Sequence, residues 1–311
     1  MSKVPISRRA LFIALAAALA AALAACGEKT GGKTPFDGTS AYAYVRTQLA
    51  FGPRIPGTEG HRKTGDWIVS RLKAAADTVI EQRFTHVTVH HDTLPLRNIL
   101  ARFRPSEPQR VLFITHWDTR PVSDQAPDSA QRKLPMPGAN DGASGTAMQI
   151  ALAEALKKTP PTVGVDLLFV DGEDYGSFDD RKDVLLGSQY FATHLPDSAY
   201  RPLYGVLWDM IGKFDTRFSQ EGFSVQRAPE VVSLVWKQAA ELGYGSTFLA
   251  VVGGPITDDH VPLLEAGLHV IDVIDYDYPQ HHTPADTLGF VSRKSLQIVG
   301  DVAYALVVEK R

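Results

Sequence analysis

Four short stretches carry acids and histidines in groupings suited to metal chemistry. They are His116-Trp117-Asp118, Asp171-Gly172-Glu173-Asp174, Asp209-Met210-Ile211-Gly212 and His281-His282-Thr283, and Asp141 stands beside them in the glycine-rich run GANDGASG. Singly, each has a plain structural reading. An Asp before a helical run is a common helix cap, Asp118 suits a turn, and His282 suits a surface. Together, the histidines and carboxylates form an oxygen and nitrogen donor set that suits zinc. Adjacent Glu173 and Asp174 add a further point. Neighbouring acids repel, and a cation relieves the repulsion, so one carboxylate can bind the ion while the other stays free to move protons.

For such groups to meet, the intervening elements must end at one place. Strand-like apolar runs are predicted over 98–103, 111–116, 165–170, 204–209 and 268–274. Helical spacing is predicted over 39–49, 60–75, 143–157, 188–194, 229–243, 258–266 and 292–310. This alternation predicts an α/β fold, a single domain with a central mixed, mostly parallel twisted sheet flanked by helices on both faces. VLFIT and DLLFV read as the continuous apolar runs of strands buried on both sides. The candidate residues follow the C-terminal ends of these strands or open a helix, and that edge is where open α/β sheets form their sites.

A net charge of -3 over 311 residues leaves no basic excess, so no nucleic-acid partner is expected. The single cysteine, Cys26, excludes an internal disulfide, and stability must come from the core. Lys3, Arg8 and Arg9 precede an apolar run over 10–25, and Leu23-Ala24-Ala25-Cys26 fits the pattern at which bacterial lipoprotein signals are cut and the cysteine acylated. The run is shorter than the roughly 20 residues that a membrane-spanning helix needs. Arg8-Arg9 also suits twin-arginine export, and Gly27, rather than Asp, after the cysteine points to the outer membrane. The expected organisation is a lipoprotein signal peptide over 1–26, a flexible polar tether over 27–38 and a catalytic domain over 39–311. The mature chain would be lipid-anchored in the cell envelope, facing the periplasm or the exterior.

The motifs HWD, GANDGASG, DGED, DMIG and HHTPADT, in this order, resemble the zinc aminopeptidase and glutaminyl cyclase superfamily. The resemblance runs from FGPRIPGTEGH near residue 51 to the final helix. It implies Asp141, Asp174 and His282 as zinc ligands and Glu173 as general acid and base. His116 and Asp209 match the positions that hold a second zinc in the aminopeptidases. The cyclases use one zinc, with the aspartate in a hydrogen-bond network. Two features are similar to the cyclases of bacterial envelopes. The insertion YGSFDDRKDVLL separates Asp174 from Gly187-Ser188, and Asp258-Asp259-His260-Val261-Pro262-Leu263 looks like a cyclase segment whose first Asp, here Asp258, bonds the substrate amine.

That resemblance implies a glutaminyl-peptide cyclotransferase with one zinc, acting on peptide or protein N-termini. A two-zinc aminopeptidase is the alternative. A non-catalytic binding module is a third reading, and an acid such as Glu173, left free of the metal, argues against it. Departures from the animal cyclases fall in the substrate pocket and at one implied metal ligand. His281 stands where they carry a Trp, Asp179 stands at another pocket Trp, and Asp174 replaces a Glu. Trp117, Phe178, Trp208 and Tyr278 are expected to rebuild the lining alongside His281.

Overall fold

Alternating apolar side chains build the central sheet. In the computed structural model, which describes residues 32–308, six strands stand in the order β1-β2-β4-β3-β5-β8. They are β1 (Thr78–Val87), β2 (Thr93–Phe103), β3 (Arg110–His116), β4 (Gly164–Val170), β5 (Tyr204–Asp209) and β8 (Val270–Ile274). β1 with β2 and β2 with β4 are antiparallel, whereas β4, β3, β5 and β8 run parallel.

Successive strand residues face opposite sides. Phe113, Leu167 and Val206 join one core, packed under α1 (Gly38–Ala50), α3 (Ala143–Lys158) and α8 (Arg293–Val308). Leu112, Ile114, Leu168 and Leu207 join a second core, closed by Phe191 of α4 (Leu186–Thr193) and Leu263 of α7 (His260–Glu265). The remaining helices are α2 (Glu59–Lys73), α5 (Gly222–Arg227) and α6 (Pro229–Glu241). This is the predicted architecture, a mixed and mostly parallel sheet with helices on both faces.

Two elements were not expected and one expectation needs correction. β1 was not predicted, because its side chains are all exposed or half-buried and its sequence has no apolar run. It is an edge strand, held by pairing with β2 from Thr78↔Arg102 to Val87↔Thr93. A small parallel pair, β6 (Phe218–Gln220) with β7 (Phe248–Val252), was also missed; both strands are short. Finally, the segment expected as a tether is docked from residue 32 onward. The backbone N–H groups of Lys33 and Thr34 donate to the Asp301 carboxylate, Phe36 is buried, and Asp37 caps α1 through the N–H groups of Thr39 and Ser40. The signal peptide, Cys26 and residues 27–31 lie outside the described residues. Among the described residues no helix is long and apolar enough to cross a membrane.

Candidate active site

The register of the parallel strands brings the first pair of candidate residues together. Ile114 of β3 lies opposite Leu207 of β5. Both strands run on for two residues, so His116 and Asp209 emerge at the same edge on the same face. His116 Nε2 lies 3.1 Å from Asp209 Oδ1. β4 continues into the Asp171–Asp174 turn, which Asp118 fixes: its two carboxylate oxygens accept the backbone N–H groups of Glu173 and Asp174, each at 3.1 Å.

Asp141 arrives from the loop before α3. Asp286 accepts the N–H groups of Asn140 and Asp141, and the buried Arg54 guanidinium donates to the carbonyls of Trp117 and Gly138. The loop lies flat on His116 only because residue 142 is glycine. A Cβ there would stand 2.5–2.7 Å from the imidazole ring. Asp141 Oδ1 consequently sits 3.0 Å from His116 Nε2.

Among the described residues, two sets bring three donor atoms within 4.8 Å of one another: Asp141, His281 and His282, and His116, Asp141 and Asp209. Asp141 belongs to both. In the first set, Asp141 Oδ2 is 3.7 Å from His282 Nε2 and 3.8 Å from His281 Nε2. Asp174 adjoins this set without joining it, its Oδ1 3.3 Å from His282 Nε2. Arg120 Nη1 donates to that same oxygen at 2.7 Å. The compact set thus differs from the implied one, with His281 in and Asp174 beside it.

These residues fit a divalent ion of the zinc type. Asp174 Oδ2 is buried with no hydrogen-bond partner, and buried acceptors in that state call for a proton or a cation. His282 turns Nε2 to the carboxylates, and its Nδ1 faces Asp124 Oδ1 at 3.5 Å, the backing typical of metal-binding histidines. Burial lowers the His282 pKa, but Asp174 outweighs it with help from Asp124 and Asp141, and the value is pushed up to about 10. An ion seated at Nε2 takes the place of that proton, so binding releases protons.

A cavity of about 570 Å³ opens above this cluster, with Asp141, Glu173, Asp209, Asp258, His281 and His282 in its walls. Glu173 Oε2 lies 3.6 Å from His116 Nδ1. Burial pushes the Glu173 carboxyl well above the ordinary range; His116 opposes the shift, and the neighbouring acids Asp174 and Asp258 add to it.

Of the aromatic residues expected in the pocket, Phe178 lines the cavity, as does His281. Three others do not. Trp117 is buried, stacked on His61 with ring centroids 4.3 Å apart, and its indole N–H donates to Arg97 O. Trp208 is buried edge-on against Phe113. Tyr278 is behind the wall, where its hydroxyl donates to Asp286 Oδ1 at 2.7 Å and so supports the Asp141 loop. Tyr276, which sequence reasoning missed, lines the cavity instead. Arg54, Arg120 and Asp286 were likewise overlooked as supporting residues, although Arg54 stands inside FGPRIPGTEGH, Arg120 two residues after HWD and Asp286 inside HHTPADT.

The fold has well-defined counterparts. A zinc-dependent exopeptidase from Parabacteroides distasonis superposes with a TM-score of 0.86 at 35% identity, covering 88% of this chain and 99% of that one. The glutaminyl cyclase of Porphyromonas gingivalis superposes with a TM-score of 0.84 at 39% identity, covering 87% and 97%. Aminopeptidase YwaD of Bacillus subtilis is 26% identical over 287 residues, which is 88% of this chain but only 57% of that longer protein. The pattern of peptidase family M28 matches residues 98–307. That span runs from β2 through every metal-type motif to the last helix, and the chain belongs to peptidase family M28.

Proposed function

We propose that the chain is a zinc-dependent glutaminyl-peptide cyclotransferase, converting the N-terminal glutamine of a peptide into pyroglutamate with release of ammonia. The observation that carries this reading is the position of Asp258. It lines the cavity with Glu173 and Asp209, so that, besides Asp141 on the ion's side, these three acids face the same space. Hydrolysis needs one base to activate water. Cyclisation must also hold the substrate's own α-amine as nucleophile, and additional carboxylates suit that task. The inserted segment supports the same reading, since Ser177, Phe178 and Asp179 wall the cavity.

In this reading Asp141 and His282, with Asp174 beside them, hold the ion. Zinc held there would supply Lewis-acid polarisation of the substrate γ-carboxamide. Asp258 and Asp209 accept N–H groups of the α-amine and aim its lone pair at the carboxamide carbon. Glu173 takes a proton from the attacking amine and returns one to the departing ammonia. The ring closure is intramolecular, so orientation supplies much of the rate.

A second reading, a two-zinc aminopeptidase, is favoured by the His116, Asp141 and Asp209 set, whose donor atoms are close enough for a second ion. Glu173 would then take its proton from water. A glutaminyl peptide and a leucyl arylamide, each given to the purified protein, separate the two. Ammonia release without chain shortening supports cyclisation; a freed first residue overturns it. About one zinc per chain accompanies the first outcome and about two the second.

We further infer export and acylation at Cys26, from the charged start, the apolar run and the Leu-Ala-Ala-Cys pattern. In cells fed labelled palmitate, the parent chain should take up label and Cys26→Ala should not. Equal labelling of both sinks the inference.

A further inference from the structure

We propose that His281 is a direct ligand of the ion held by Asp141 and His282, so that two adjacent imidazoles bind one metal. The proposal rests on the zinc-centre reading above and makes a ligand of His281, which lies in the compact donor set and which the resemblance assigns only to the pocket wall. Neighbouring residues in extended backbone point to opposite sides. Here His282 has a φ of 50°, in the left-handed region, and this turn lays its ring beside that of its neighbour. The two ring centroids are 3.7 Å apart with planes inclined by 30°.

Both Nε2 atoms consequently converge on one carboxylate oxygen, Asp141 Oδ2, at 3.8 Å from His281 and 3.7 Å from His282. Donors bound to zinc at about 2.0–2.1 Å in a tetrahedron stand roughly 3.3 Å from each other, so an approach of about 0.5 Å brings each imidazole to that spacing from Asp141, and three such donors leave the fourth position open to substrate. Toward Asp141, His281 stands nearly as close as His282 does. A non-glycine residue in the left-handed region carries strain that sites commonly store for function. A hydrogen bond to substrate would need only His281 itself, whereas a shared ion draws both Nε2 atoms to the same side of Asp141, where they stand.

Cobalt reports the coordination directly. His281→Cys in the full chain, loaded with cobalt(II), should show thiolate-to-cobalt charge transfer in the near ultraviolet. His281→Phe keeps the aromatic bulk and removes both nitrogens. It should weaken zinc at least tenfold in competition with a chromophoric chelator and shift the visible cobalt bands. Its metal-free melting temperature should match the parent's, while the rise on adding zinc shrinks. No charge transfer in the Cys variant, with superimposable cobalt spectra and zinc affinity within twofold for the Phe variant, overturns the proposal. Weaker zinc with an unchanged cobalt spectrum also overturns it, because an indirect effect would produce that. Asp141→Ala and His282→Ala keep the two readings apart. If they lose zinc while the His281 variants do not, only this proposal fails; if they too retain zinc, the centre itself is wrong.

Discussion

Arg120 Nη1 donates to Asp174 Oδ1 over 2.7 Å, while the other oxygen of that buried carboxylate has no hydrogen-bond partner. The guanidinium satisfies one side of the acid and the other side is available to a cation. Removing one partner of a buried pair strands the other, at a cost of about 3–5 kcal/mol. Arg120→Met should therefore lower the melting temperature markedly in chelator. Saturating zinc should recover a larger share of stability in the variant than in the parent, because the ion then carries the compensation alone. Calorimetry with and without chelator reads both numbers, and equal zinc responses would show that Asp174 does not meet the ion.

Glu173 is within reach of His116 yet belongs to neither compact donor set. A side chain in that position can exchange protons without loosening the metal. Glu173→Gln preserves shape and removes the base. The expected outcome is a loss of about 10²–10⁴ in turnover, the usual worth of a general acid or base, with zinc content and melting temperature unchanged. Metal analysis beside the ammonia assay checks this, and near-parental turnover would remove Glu173 from its role.

How much of this was legible beforehand follows from side-chain direction. Strands buried on both faces read as apolar runs, so β3, β4 and β5 and the residues at their ends stood out. Trp117 and Trp208 were misread because nearness to a motif was taken for direction. Each adjoins a cluster residue, His116 or Asp209, and neighbours on a strand point to opposite faces. The period of two could have placed both in the core. β1 lacked any signal, as an edge strand with no fully buried side chain has none to give. Arg54 and Arg120 act through long side chains that reach other loops, and no local periodicity marks such contacts. Asp258 was legible as a motif residue, but its place in the cavity wall depends on a helix that begins only at His260.

Acid sensitivity should come partly from Glu221, away from the metal cluster. Its carboxylate caps α5 through the N–H groups of Phe223 and Ser224, accepts from Ile256 N–H, and lies 3.2 Å from His260 Nε2. Burial raises its pKa, but His260 and these donors outweigh burial and hold it down to about 2. A carboxyl depressed in the folded state contributes stability that is fully present above its unfolded value, near 4.3, and is lost as pH falls from there through about 2. The urea midpoint of the parent should fall between pH 5 and pH 3. In Glu221→Gln the starting stability should be lower and that decline shallower. Parallel declines in the two proteins would refute the assignment.

Gly145 offers a test of how the strand ends hold Asp141. It lies in the first turn of α3, where a Cβ would overlap Thr115 Oγ1 and the carbonyl oxygen of Trp208. Around it, Ile211 N–H donates to Ser144 Oγ at 3.2 Å and Gly212 N–H to Asn140 Oδ1 at 2.7 Å, tying the helix start to the end of β5. The obstructing carbonyl belongs to the sheet and cannot rotate away, so an added methyl must lift the helix, and Asp141 with it. Overpacking of this kind costs about 1–3 kcal/mol. Gly145→Ala should show that loss together with weaker zinc binding. Gly245, whose Cβ would meet nothing within 4 Å, serves as the control, since a surface change away from such features stays within about 0.5 kcal/mol. If Gly145→Ala unfolds earlier yet binds zinc as tightly as the parent, then the Asp141 loop is positioned by Asp286 and Arg54 rather than by the seat of α3.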